Sequence, residues 1–143
     1  MITLALIKRM NEDGVAGLEL DKDFFWEEMP LQKDGKPAQG TWLITRGGDK
    51  GLGGRKGLNL KTVVDFYTAT KNKVLTENIQ QEIDYYFNEN IGFCDLSGNV
   101  GGVDYDFVNI RIRPVSTPNN SGYTENGLIV KVSSYELTYD INR

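Results

Sequence analysis

Acid–base chemistry near neutral pH would fall to the carboxylates in this sequence, because its 143 residues include no histidine. The same absence removes Ser-His-Asp and Cys-His nucleophilic catalysis and nearly every zinc site. Three carboxylate placements are worth weighing. Asp104 and Asp106 stand two apart in a strand-like run, so their side chains share a face, as an acid/base pair or a divalent-ion site would require. The plainer reading is stronger: charges at the start of an edge strand face water and block unwanted pairing. Asp65, between Val64 and Phe66, reads as a partly buried carboxylate in need of a cation, and Arg111 or Lys61 would serve. A structural pairing is favoured there, since no acid/base set accompanies it. Asp21-Lys22-Asp23 resembles the opening of a calcium loop, but Trp26 stands where that loop needs glycine.

The segment Arg46-Gly47-Gly48-Asp49-Lys50-Gly51-Leu52-Gly53-Gly54-Arg55-Lys56-Gly57 carries six glycines and four basic residues against one acid. Exposed backbone N–H groups beside Lys and Arg can cradle phosphate. A P-loop, however, needs Lys-Ser or Lys-Thr opening a helix, and here neither dipeptide follows the glycines. A Gly-x-Gly-x-x-Gly fingerprint fails as well, because Lys56 stands three residues past Gly53. The glycine content predicts a loop without regular structure at rest, since each glycine loses more backbone freedom on ordering than any other residue. Such a loop is either a solvated hairpin tip or a segment that orders against a partner chain or nucleic acid. Its cations, Arg46, Lys50, Arg55 and Lys56, are the candidate subunit-interface or DNA-channel residues. No catalytic residue, cofactor or metal is expected.

Several elements would have to position these groups. Ile2, Ala5, Leu6 and Met10 recur at helical spacing, predicting a short amphipathic helix over 2–12 closed by Gly14 and Gly17. The stretch Glu12–Glu28 holds seven acids and one base, Lys22, around Phe24-Phe25-Trp26, and its second half reads as a strand. A turn at Lys33-Asp34-Gly35-Lys36-Pro37 would join it to the strand Thr41–Thr45 as a hairpin-like pair. Leu60–Ala69 reads as a central strand with Val64 and Phe66 on one face and Val63, Asp65 and Tyr67 on the other. Val74–Asn90 is predicted as a helix, with Leu75, Ile79, Ile83, Tyr86 and Phe87 on one stripe and Thr76 or Asn72 at its start. Gly98–Gly102 reads as a loop. Val103–Arg113 and Leu128–Ile141 read as two long strands paired as a hairpin across a 14-residue connection, Pro114–Gly127. Trp26, Trp42 and the tyrosines fit core and strand positions better than a ligand surface.

Length and composition bound the rest. A chain of 143 residues predicts one domain, with core enough to need no disulfide. Sixteen basic against twenty acidic residues leave a net charge of −4, which argues against wholesale coating of nucleic acid. The N-terminus places its charges after the apolar run, the wrong order for a secretory signal, and no stretch is long enough to span a membrane. A reducing cytoplasm, in which an unpaired Cys94 is ordinary, is therefore expected, and Asn119-Asn120-Ser121 reads as a chance sequon.

The order of elements, with Trp26-Glu27-Glu28-Met29-Pro30-Leu31, Gly40-Thr41-Trp42-Leu43-Ile44-Thr45-Arg46-Gly47 and the Val64-Asp65-Phe66-Tyr67 strand before its helix, resembles the tail terminator (tail completion, or minor tail) proteins of long-tailed bacteriophages. The likeness is one of pattern and extends over residues 1–143. It implies an α+β single domain, a mostly antiparallel sheet flanked by two α-helices, with long β-hairpins and the Gly-rich loop. It also implies a virion structural protein that performs no chemistry. Such a protein, assembled in the host cytoplasm, would form a hexameric ring that caps the tail tube and joins it to the head connector at the neck. Its expected partners are further copies of itself, the tail-tube protein and the connector proteins, with transient contact to DNA in the channel as a further expectation. The acidic stretch 12–28 and the basic loop 46–56 carry opposite sign and are expected to face each other across neighbouring subunits, or one of them to face the tube protein beneath. The rival readings are a head-completion or stopper protein of the same neck and, from another class, a small intracellular enzyme using Asp65 with Asp104 or Asp106.

Overall fold

The computed structural model describes residues 2–51, 60–89, 95–100, 102–118 and 122–142. Helix α1 (Ile2–Glu12) is followed by a 3-10 turn (Val15–Gly17), then β1 (Phe24–Trp26), β2 (Gly40–Gly51), β3 (Leu60–Thr70) and α2 (Lys73–Glu89). After these come β4 (Asp95–Val100), β5 (Val103–Val115), β6 (Gly122–Tyr123) and β7 (Ile129–Asn142). The strands form one seven-stranded sheet in the order β1-β2-β3-β7-β5-β4, with β6 beside β7. The domain is α+β, as expected, and β3 is central.

Strand alternation divides the sheet into two faces. Val64, Phe66, Tyr135, Leu137 and Phe107 point to the side covered by both helices, where they pack with Leu6, Met10, Ile83 and Phe87 in the main core. The rings of Phe66, Phe87 and Tyr135 meet there, with the Phe87 and Tyr135 centroids 4.4 Å apart. Among the described residues the other face carries no helix. At one end a smaller apolar cluster of Trp42, Ala69, Leu128 and Val130 seals it, with Trp42 stacked on Tyr67 at 5.3 Å.

Four sequence expectations are corrected. The Phe24–Trp26 strand is parallel to β2, with Phe24 opposite Thr41 and Trp26 opposite Leu43. The Lys33–Pro37 turn exists, but it joins Leu31 to Pro37 inside the connection, and a parallel pair needs such a crossover of about a dozen residues. The glycine-rich segment is strand from Arg46 to Gly51: Arg46 is opposite Val63 and, after a register shift across residues 47–49, Lys50 is opposite Lys61, so ladder partners on β3 at both ends of the shift offset the glycine entropy. Residues 52–59 lie outside the described residues. Gly98 lies within β4, close against α1, where a Cβ would come 3.4 Å from Ala5 Cβ; the reversal is confined to the residues between the Val100–Val103 pair. On α2, Leu75 is 47% exposed while Thr76 and Gln80 are buried. The N-terminal half of that helix lies over a polar row, where Gln80 Nε2 donates to the Phe66 carbonyl at 3.1 Å and to Thr68 Oγ1 at 2.8 Å. Asn72 caps the helix, its Oδ1 accepting from the Val74 N–H at 2.9 Å, while Thr76 shares a hydrogen bond with Thr70.

Candidate interaction surface

The helix-free sheet face draws its polar groups from four strands. Ladder registers place Arg46 opposite Val63, Val63 opposite Glu136 and Glu136 opposite Arg113. One step along, Lys61 is opposite Thr138 and Thr138 opposite Arg111, and one step the other way Asp65 is opposite Ser134. Residues directly opposite in a ladder share a face, so these side chains form one surface. A bulge in β5 puts Arg111 and Arg113 there: the register shifts between Val108 and Arg111, and Asn109 takes φ 55°.

Two buried carboxylates organise this surface. Asp65, 2% exposed, accepts from Ser134 Oγ at 2.5 Å and lies 3.3 Å from Arg46 Nη2. The same Nη2 donates to the Ser116 carbonyl at 3.1 Å. Strands β3 and β7 stand between β2 and β5, a lateral separation of about 14 Å. Arg46 therefore reaches Ser116 because the chain leaving β5 bends over the sheet face. Glu136 receives both arms of Arg113, Nε to Oε1 and Nη2 to Oε2, each at 3.0 Å, and Lys61 Nζ lies 3.1 Å from Oε2. The Arg113 hydrogen bonds, joined by the Lys61 charge, hold the Glu136 carboxyl below the usual carboxylate range against the opposing effect of burial.

The candidate loop residues therefore separate. Arg46 belongs to β2 and its guanidinium is 44% exposed and committed to Asp65. Lys50 is placed by its backbone opposite Lys61, while its side chain, Arg55 and Lys56 lie outside the described residues, as do Cys94 and Asn119-Asn120-Ser121. The partner of Asp65 is Arg46, not Arg111 or Lys61. Those two lie one ladder step or more away, and Lys61 is drawn to Glu136. Asp104 and Asp106 are exposed at the β4–β5 corner, accepting from Asn99 Nδ2 at 2.7 Å and Ser97 Oγ at 2.9 Å. Asp106 is opposite Asn142 and Asp65 opposite Ser134, so roughly 26 Å of β7 separates them and they form no common site.

Glu136 and Arg113 were missed by motif reading, although the signal was present. From Tyr135 to Ile141 apolar and polar residues alternate strictly, as they do from Ile110 to Arg113, which marks one face of each strand as polar.

The acid-rich segment lies on the opposite side of the sheet, with the helices. Tyr86 Oη donates to Asp13 Oδ2 at 2.8 Å, tying the segment to α2, and burial followed by that carboxylate pushes the Tyr86 phenol far above its ordinary value. Arg9 and Lys22 form exposed pairs with Asp13 and Glu19. Glu27 closes the edge of the sheet: its N–H donates to the Leu43 carbonyl at 2.7 Å and its Oε1 accepts from the Thr45 N–H at 3.0 Å. Trp26 Nε1 donates to Thr3 Oγ1 at 3.0 Å, fastening α1 to the same corner. Beyond Thr45, no strand among the described residues pairs with the outer edge of β2. No family model matches the chain, and no curated protein and no solved structure matches it either.

Proposed function

We propose that this chain is a ring-forming structural subunit of a phage tail–neck junction, a tail terminator that caps the finished tail tube and joins it to the head connector. The observation that carries the reading is the β2–β3 hairpin. Its strands are 12 and 11 residues long, against 3 in β1. Among the described residues the outer edge of β2 from Arg46 to Gly51 carries no strand, and a partner strand added there would draw its affinity from main-chain hydrogen bonds. The pattern resemblance over residues 1–143 supplies the partner class: tube protein on one side, connector on the other.

Imaging of particles assembled without this protein tests the proposal. Tail tubes of uncontrolled length are expected. Tails of normal length that fail to join heads would move the chain to the stopper position in the same neck, and wild-type particles would refute a neck role altogether.

A further inference from the structure

The sheet has an unpaired edge at each end. β4 is the last strand of the order and, among the described residues, pairs only with β5, in a ladder that runs from Asp95–Val108 to Val100–Val103 without a register shift. Its sequence, Asp95-Leu96-Ser97-Gly98-Asn99-Val100, holds no proline, lysine or bulge, the usual guards of an edge strand. Helix α1 packs on one face of β4, where Ala5 meets Gly98, and a groove of about 350 Å³ lies between Lys8, Arg9 and Glu12 of the helix and Asp95–Ser97 of the strand. At the other end of the sheet β1 pairs with β2 only over Thr41–Leu43, and Glu27 takes up the Thr45 N–H. From Arg46 to Gly51, six residues like those of β4, no described strand lies beside the outer edge of β2.

We propose that the outer edge of β4 takes the Arg46–Gly51 edge of β2 from a second copy of the chain, so that the sheet of one copy continues into the next. The two edges match in length, about 20 Å each. They also match in direction: the steps β2–β3, β3–β7, β7–β5 and β5–β4 are all antiparallel, and four reversals leave β2 and β4 running the same way. Copies set side by side with their helices on one side therefore join these edges as a parallel pair. Charge selects this joint over the two symmetric ones. A β4–β4 joint would set Asp95 against Asp95, with Asp104 and Asp106 beside it on β5, and a β2–β2 joint would set Arg46 and Lys50 against the same two bases. Asp140, two residues beyond Thr138 on β7, is opposite Val108, and Val108 is opposite Asp95, so Asp95 belongs to the helix-free face, as Lys50 does through its register with Lys61. A neighbour's Asp95 on the far flank of Lys50 offsets the like-charge pair that the β2–β3 ladder creates there. Because the edges lie at opposite ends of one sheet, each copy gives one to the neighbour ahead and the other to the neighbour behind, a heterologous contact that runs on as a ring or a filament. The inference rests on the ring-forming reading and deepens it by giving the unpaired β2 edge its strand.

Disulfide trapping between two stocks of the full chain tests the contact. Cys94 is the only cysteine, so Cys94→Ser gives a thiol-free background. One stock carries Lys50→Cys and the other Asp95→Cys, Ser97→Cys or Asn99→Cys, three exposed positions on one face of β4 that sample the register. Each variant should keep the circular dichroism spectrum of wild type. On oxidation of the mixed stocks, one of the three β4 cysteines should give a heterodimer about tenfold in excess of either homodimer, because a disulfide bridges only Cα atoms within about 7 Å. A chain carrying both cysteines should give a ladder of multimers, since β3, β7 and β5 hold its own two thiols about 19 Å apart. Heterodimers no commoner than chance pairing, or homodimers of the β4 variants alone, would overturn the contact. If wild type nonetheless assembles by light scattering after size exclusion, ring formation stands and only its lateral contact is wrong. A wild-type chain that stays monomeric at every concentration, with trapping at chance level, also overturns the contact, and the neck role is then decided independently by the imaging of particles.

Discussion

Removing the Arg46 side chain should destabilise the isolated domain, because that guanidinium is the cation of a buried carboxylate rather than a loose charge on a loop. At 3.3 Å and an effective dielectric of 20, the Arg46–Asp65 attraction is about 5 kcal/mol before solvation costs. Desolvation of Asp65 takes back much of this, and the 44% exposure of the guanidinium weakens the remainder. Adding the charged hydrogen bond to the Ser116 carbonyl, Arg46→Ala should cost about 2 to 3 kcal/mol in urea unfolding, a fall of about 8 °C in melting temperature. Asp65→Asn keeps the volume and the contact with Ser134 but removes the charge that Arg46 answers. The double variant should therefore lose less than the two single losses added, with a coupling of about 1 kcal/mol or more. Arg111→Ala, exposed and without a carboxylate partner among the described residues, serves as control and should stay within about 0.5 kcal/mol of wild type. An Arg46→Ala protein as stable as that control, or additive losses in the cycle, would refute the assignment and return Arg46 to the set of surface cations.

Three further perturbations follow from the packing. Gly40→Val should cost about 2 kcal/mol in thermal unfolding, since a Cβ at that position would sit 3.1 Å from Phe25 Cε2 and 3.2 Å from Pro30 Cγ; a melting temperature equal to wild type would mean that the corner between β1 and β2 yields freely. Gln80→Leu should cost about 2 kcal/mol by urea denaturation, because it removes the Gln80 hydrogen bonds to the Phe66 carbonyl and Ser133 beneath α2 and leaves Thr68 with Thr41. Glu136→Gln should flatten the acid limb of the stability profile. The folded-state carboxyl is held below its ordinary 4.5, so its contribution is fully present above that value and is lost as pH falls through the depressed value. Wild type and variant should differ at neutral pH and converge in acid, and parallel profiles would show that Arg113 and Lys61 do not favour the charged form.

The elements legible from residue order alone are those whose stabilising contacts repeat at a fixed period. The apolar spacing of residues 2–12 and 74–90 marked both helices, and the β-branched run from Leu60 marked the central strand, because a helix or strand must bury one face at its own period. The same logic placed Val64 and Phe66 apart from Asp65, and it paired β5 with β7. It also held the signal for the polar face, in the alternation from Tyr135 to Ile141, although no motif drew attention to it.

Which strand lies beside which, and so which charge meets which, is set only in the assembled sheet. The turn at Lys33–Pro37 was legible as a turn, but nothing local says that it reverses a crossover rather than a hairpin; that follows from β1 adding in parallel to β2. Glycines 47, 48 and 51 discourage regular structure on their own; Gly51 is held by its ladder partner Leu60, and the register shift that contains Gly47 and Gly48 is bounded by the pairs Arg46–Val63 and Lys50–Lys61. Asp65 plainly needed a cation. Arg46 supplies it because the β2–β3 register and the chain bending back from Val115 bring Arg46, Asp65 and Ser116 within hydrogen-bonding or ion-pair distance of one another, and sequence separation carries no information about such a meeting. Local propensity is a property of a few consecutive residues, whereas a charged surface built from β2, β3, β5 and β7 exists only once a sheet has set those strands about 4.8 Å apart.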